Sequence, residues 1–301
     1  MRITIEAVQI LSMLIRSLCF VICMSLCGCA TGQTKDESTL TRRYREGEVY
    51  GYYIFNRQFI GSDLDNSYEG HATARVVAEP TGAMHEEFEW HDITKNGKKH
   101  PIAPEYRQIL SLAVGGKMIF PPTAMITGAT TDTMNFYVNE MLAIKKALRK
   151  VGDHELVSLN GKPSPWLDRA RGFNGFDCQD FDIMLTAIDG NYATVKVANI
   201  PPLHGCTRPP LVAWMNSRVA DTENNFFEIE RQADGTYHAS YGKEIIDTEL
   251  HIDLGTGRII SGFMHNTVHY LQRVCKDESV LDCGEPKDKS LARETVLVLE
   301  K

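Results

Sequence analysis

The 301-residue chain has no apolar run long enough to cross a bilayer and no surplus of basic residues. The four cysteines after Cys29 contain no C-x-x-C pair. A spanning helix needs about 20 consecutive apolar residues, and the longest candidate, Ser17 to Leu26, falls well short. Lys and Arg total 32 against 39 Asp and Glu, a formal charge of −7. An acidic chain without a basic stripe argues against a nucleic-acid partner and against broad adsorption to anionic surfaces. Also missing are a nucleophile elbow, a P-loop, a dinucleotide fingerprint and a histidine–cysteine active-site signature. No catalytic residue, metal or cofactor is therefore expected. Gly255-Thr256-Gly257 reads as a turn, because no helix follows it to cradle a phosphate.

What is present begins with an address. Arg16 precedes Ser17-Leu18-Cys19-Phe20-Val21-Ile22-Cys23-Met24-Ser25-Leu26, and Leu26-Cys27-Gly28-Cys29 ends the run. A positive start, a short apolar middle and small residues before a cut compose a secretory signal. The L-x-G-C ending resembles bacterial prolipoproteins. That resemblance implies a signal peptide over residues 1–28, starting at Met1 or Met13, and a lipid on the Cys29 thiol. Ala30 stands where an inner-membrane retention aspartate would, so the implied location is the cell envelope, at the outer membrane facing the periplasm. Several acyl chains on one residue anchor a protein stably, which makes the membrane a partner through Cys29. Polar residues dominate from Thr31 to Glu48, so residues 29–47 are expected to form a flexible tether.

Four cysteines remain: Cys178, Cys206, Cys275 and Cys283. In an oxidising compartment an even number reads as two disulfides. Proximity favours Cys275–Cys283 around Lys276, Asp277 and Glu278, and Cys178–Cys206 follows by elimination. A metal site is the weaker reading, since no histidine stands at finger spacing.

Residues 48–301 are expected to form a single antiparallel β-rich domain with an inserted helix. Glu48 to Phe55 is aromatic and β-branched, the signature of a strand. Hairpins are predicted at Glu79-Pro80-Thr81-Gly82, Asn96-Gly97, Asp189-Gly190-Asn191, Asp234-Gly235 and Gly255-Thr256-Gly257. Thr295 to Leu299 supplies a last strand, and a short helix or extended segment is predicted from Pro104 to about Leu112. One long helix is predicted at about 131–151. Its apolar positions Met134, Tyr137, Val138, Met141, Leu142, Ile144, Leu148 and Val151 recur at three- and four-residue steps. Asp132 and the basic residues from Lys145 to Lys150 suit its two dipole ends, and Gly152 suits its stop. The fold class is therefore α+β and mainly antiparallel β, a curved sheet or half-barrel packed on one long amphipathic helix.

Two acidic motifs invite a chemical reading. His85 and His91 flank Glu86-Glu87-Phe88-Glu89-Trp90, but they are six apart on a strand, where a zinc protease needs four on a helix. Alternation instead points Glu87, Glu89 and His91 to solvent. Asp177, Asp180 and Asp182 lack the glycine of a calcium loop, and Asp180 and Asp182 are expected to face water. An enzyme without a signature motif would first be sought at Asp153–His154 or at Asp180–Asp182.

Met134-Asn135-Phe136-Tyr137 through Leu148 to Gly152-Asp153-His154 forms one familiar stretch. Thr256-Gly257-Arg258-Ile259-Ile260, Asn266, Arg273-Val274-Cys275 and Cys283-Gly284-Glu285-Pro286 form another. Together they resemble a family of exported bacterial proteins that carries no assigned activity. In architecture alone, an antiparallel sheet with a long helix on an acyl anchor resembles half-barrel lipoprotein carriers, though this chain is longer and holds its helix in the middle. The function expected is a non-catalytic envelope lipoprotein binding an apolar ligand or partner protein at a sheet–helix gap. Met134, Tyr137, Met141 and Leu148 would line that gap. A periplasmic hydrolase and a purely structural lipoprotein are the alternatives.

Overall fold

Alternation along the chain dictates most of the architecture. The computed structural model describes residues 40–102, 107–113, 128–144, 148–158, 180–200 and 224–300. Cys29, Cys178 and Cys206 lie outside these residues. The strands are β1 (Val49–Ile60), β2 (Asp63–Ala78), β3 (Met84–Lys95), β4 (Lys98–Lys99), β5 (Gln108–Leu110), β6 (His154–Ser158), β7 (Asp180–Asp189), β8 (Tyr192–Ile200), β9 (Phe226–Arg231), β10 (Tyr237–Asp253), β11 (Arg258–Cys275) and β12 (Lys287–Glu300). One helix, α1 (Gly128–Ile144), stands between β5 and β6. In β1, Tyr50, Tyr52, Ile54 and Asn56 are buried, and the residues between them are not. A period of two buries one face only. The predicted Asn96-Gly97 turn carries positive φ at both residues, 50° and 72°, as a two-residue hairpin turn of type I′ requires.

The strands form one open antiparallel sheet in the order β4-β3-β2-β1-β12-β11-β10-β8-β7-β6, with β5 on β3 and β9 on β10. The last strand therefore lies between β1 and β11, with Tyr53 opposite Val298 on one side and Phe263 opposite Val296 on the other. The helix crosses one face of this sheet and touches β1, β2, β5, β7, β8, β10, β11 and β12. Phe136 approaches Gly262 so closely that a Cβ on the glycine would meet the ring at 2.7 Å. The Tyr137 ring stands edge-on to Phe88 at 5.7 Å, and Phe88 stacks on Tyr52 at 5.9 Å.

Three expectations change. The helix starts earlier than predicted, at Gly128, and has ended by Leu148. The Asp153 carboxylate accepts hydrogen bonds from the backbone N–H of Arg149 and Lys150 at 3.0 and 3.1 Å, turning the chain there. The stripe differs too. Ala129, Thr133, Phe136, Glu140 and Ala143 are fully buried, stepping by four and three residues along one face, and Tyr137 is buried beside them. Two of them are polar, so a search for apolar periodicity passes over this face. Val138, Met141, Leu142 and Ile144 are only partly buried, and Val151 is exposed. Of the helix or extended segment expected up to about Leu112, Gln108–Leu110 takes the extended alternative, a strand pairing with Glu86–Phe88 of β3.

The last change concerns the N-terminal arm. Leu40 and Arg42 are buried although their stretch was assigned to the tether by its polarity. The arm crosses the β10–β11 turn, where Arg43 N–H donates to the Thr256 carbonyl at 2.7 Å. Gly257 permits this approach: its φ is +65°, and a Cβ would meet the Thr41 carbonyl at 2.2 Å. Polarity alone misassigned the arm because its charges find buried partners.

A disulfide joins Cys275 to Cys283, as proximity predicts. It roofs a small cluster with Ala239 and Val280, separate from the main core. Closing so short a loop stabilises by about 2–3 kcal/mol through the unfolded chain. Replacing both cysteines by alanine is expected to lower the unfolding free energy by about that amount in urea titrations. An unchanged midpoint would show that the loop is held by packing alone.

Candidate functional site

The buried helix face carries a carboxylate near each end. Asp132 and Glu140 are eight residues apart, about 12 Å along the axis at 1.5 Å per residue, with Phe136 between them. Strand β1 runs the other way and matches this pattern, offering Tyr50 and Tyr52 towards Glu140 and Asn56 towards Asp132.

At the Glu140 end, Glu86 enters from β3 in the inward register of Phe88 and Trp90. Its Oε1 accepts from Arg42 Nε at 3.2 Å and from the Tyr50 hydroxyl. Arg42 also donates to Glu48 at 3.1 Å, and Glu48 pairs with Arg258. Both side chains of the Arg42–Glu86 pair are fully removed from solvent. Neither oxygen of Glu140 has a hydrogen-bond partner among the described residues, nor does Oε2 of Glu86. Burial, reinforced by the Glu86 charge, raises the Glu140 pKa well above the carboxylate range, with Arg42 opposing. Burial raises Glu86 as well, but Arg42, Tyr137 and Tyr50 oppose it. A charge without donors is costly to bury, so the pair keeps one proton on Glu140 and leaves the charge on Glu86 beside Arg42.

The Asp132 carboxylate is hydrogen-bonded through both oxygens. Its Oδ2 accepts from Asn56 Nδ2 at 3.1 Å, from the Thr295 hydroxyl at 3.2 Å and from the Tyr68 hydroxyl. Its Oδ1 accepts from Asn135 Nδ2 at 3.2 Å. Arg293 lies behind, with Nη1 3.9 Å from Asp132. Its Nε and Nη2 donate to Asn266 Oδ1 at 2.8 and 2.6 Å. Asn266 in turn donates to buried Glu244 at 2.9 Å.

A cavity of about 290 Å³ opens at this end, beside the first turn of the helix. Asp132 and Arg293 form its floor, Tyr68 and Ile93 an apolar wall, and Lys95 and His100 its rim. Gly128 is required here, since a Cβ would meet the Tyr68 ring at 2.3 Å. None of the four residues expected to line a gap lines this cavity. Met134, Tyr137 and Leu148 are buried in the main core and Met141 packs against it.

The residues proposed for an unsigned enzyme meet in a different pairing from the expected ones. His154 pairs with Asp182 at 3.3 Å, not with Asp153, and is largely exposed. Asp180, expected to face water, is buried. Glu87 is half-buried, and Glu89 and His91 are exposed, as alternation predicts; His85 and Glu86 are buried instead. Among the described residues no group of three His, Cys, Asp or Glu could hold a metal ion. Nor is any described helix long and apolar enough to cross a membrane. Glu86 and Glu140 have perturbed acidity, a mark of active sites, and neither lines this cavity. Position parity with Phe88 and Trp90 marks Glu86 in the sequence. Arg42 carries no such signal.

No family model matches the chain, and no curated protein matches it in sequence. Among solved structures, one described as "Lipid-protein interactions in lipovitellin" is similar at 12% identity and a TM-score of 0.42. That likeness covers 86% of this chain and 26% of the other, so this chain spans about a quarter of that protein. A second, described as "Asymmetric conductivity of engineered proteins", gives 9% identity and a TM-score of 0.19, over 85% of this chain and 100% of that one. Likenesses at this level carry no argument about function.

Holding a proton on Glu140 has a measurable sign. Its pKa is raised on folding, so the stability it contributes is complete below the ordinary carboxylate value of about 4.3 and is lost as pH rises through the folded value. Glu140→Gln keeps the shape without the charge. The variant is expected to exceed the parent by more than about 1 kcal/mol at pH 8 and to come close to it near pH 4, measured by denaturant unfolding. Parallel curves would place the proton elsewhere.

Proposed function

We propose that this protein is a non-catalytic, envelope-anchored binding module, held to the membrane by a lipid on Cys29. Its ligand seat is the cavity at the N-terminal end of the helix. That cavity carries the reading: polar groups from β1, β2, β3, β12 and the helix meet around one opening between sheet and helix. Sites of this kind combine apolar walls with a few placed polar groups. The breadth of helix contact, reaching strands on both sides of β12, supports a half-barrel curved about the helix, with the opening at one mouth.

An apolar ligand along Met134, Tyr137, Met141 and Leu148 has less support, because three of the four are buried in the core. The volume suits a small molecule or the headgroup of a larger one. The outer membrane facing the periplasm remains the proposed location, resting on the Leu26–Cys29 motif and Ala30.

Native mass spectrometry on the full chain, exported and processed in cells, tests this reading. A stoichiometric small-molecule adduct is expected, and Gln58→Trp, which fills the cavity from β1, is expected to abolish it while circular dichroism stays unchanged. An adduct that persists in that variant, or a clean apo mass after incubation with an envelope extract, would overturn it.

A further inference from the structure

The unused hydrogen-bonding capacity of the cavity is mostly donor capacity. Its carboxylate, Asp132, is saturated by four hydrogen bonds. The Lys95 ammonium, on the last residue of β3, makes no hydrogen bond or ion pair among the described residues. The His100 imidazole, just beyond β4, makes none either, although its backbone N–H donates to the Ile93 carbonyl at 2.7 Å. Arg293 Nη1 also makes no hydrogen bond; its carboxylate neighbours, Asp132 and Glu244, lie 3.9 and 4.0 Å from the guanidinium, beyond a charge-assisted hydrogen bond. These three groups come from separate elements and line one opening with the N-terminal end of α1, where backbone N–H groups and the helix dipole favour negative charge.

From this juxtaposition we infer that the cavity takes a small phosphate ester, with its phosphate between Arg293, Lys95 and His100. Three donors approaching from different elements suit the several oxygens of a phosphate better than the two coplanar oxygens of a carboxylate. The same chemistry is offered by a soluble glycerol phosphate and by a phospholipid headgroup. The overall charge of −7 opposes broad adsorption to anionic membranes, so recognition is confined to this opening. The inference rests on the cavity being the ligand seat, as proposed above.

Isothermal titration calorimetry on the full chain in a non-ionic detergent tests it. The probes are sn-glycerol 3-phosphate, inorganic phosphate, glucose as a neutral control, and dihexanoyl phosphatidylglycerol below its micelle concentration. Binding of glycerol phosphate, weaker binding of inorganic phosphate and none of glucose are expected. Lys95→Gln and Arg293→Gln are each expected to weaken binding about tenfold, the loss of one charge-assisted hydrogen bond. Lys98→Gln, an exposed lysine of β4 that does not line the cavity, is expected to leave binding unchanged. Arg293 also braces Asn266, so Lys95→Gln on the rim decides the question if the Arg293 variant fails to fold. Equal binding of both glycerol compounds indicates a soluble ester; selective binding of the short-chain lipid indicates a headgroup, and both agree with the inference. Equal weakening by Lys98→Gln would mean nonspecific charge attraction and overturn it. Failure of every anion, with a cavity-dependent adduct still present by mass spectrometry, would overturn the phosphate assignment and leave the binding module standing. Failure of both would remove the two together.

Discussion

A helix laid against the middle of a broad sheet has almost no solvent-facing side on which to place polar residues. Any charge near its buried face must be answered from the strands or neutralised, because an isolated buried charge costs several kcal/mol. Here both solutions operate on one helix. Asp132 stays hydrogen-bonded at four points by Asn56, Tyr68, Thr295 and Asn135. Glu140 is left without hydrogen bonds and keeps its proton, while Glu86 takes the charge beside Arg42. The two ends of the helix thus differ: Glu140 lies without hydrogen bonds among the described residues beside the Arg42–Glu86 pair, and Asp132 lies in a hydrogen-bonded set beside the cavity. Residues from β1, β2, β3, β12 and the arm before β1 converge on these groups.

Much of the strand content is visible in the sequence because hairpins are local. Asn96-Gly97 and Asp189-Gly190-Asn191 select their turns through conformations open to those residues. Alternation then tells which face of each strand is buried. Cys275 and Cys283 are similarly near in sequence, which made their pairing readable. The helix is readable in existence and in part of its facing. Met134, Tyr137 and Leu148 are buried as the apolar periodicity predicts, whereas Thr133 and Glu140, buried beside them, carry no apolar signal.

What escaped the sequence is long-range. Arg42 reads as tether because its partner Glu86 lies 44 residues on and its carbonyl contact at Thr256 lies 214 residues on. The seam from Asn266 through Arg293 to Asp132 likewise joins three elements with no shared motif. Such groups are chosen by what surrounds them in space, and no periodicity announces them. The cavity inherits this illegibility, because its lining is contributed by single residues from many elements.

The placement of β12 carries a further consequence. Hairpins join β1 to β2 and β2 to β3 on one side, and β7 to β8 and β10 to β11 on the other; among the described residues the two sets are joined edge to edge only through residues 287–300. Without that strand both β1 and β11 present a bare edge, a template for unwanted strand pairing. Residues 287–300 therefore close two edges at once, and β12 acts as a latch between the two halves of the sheet.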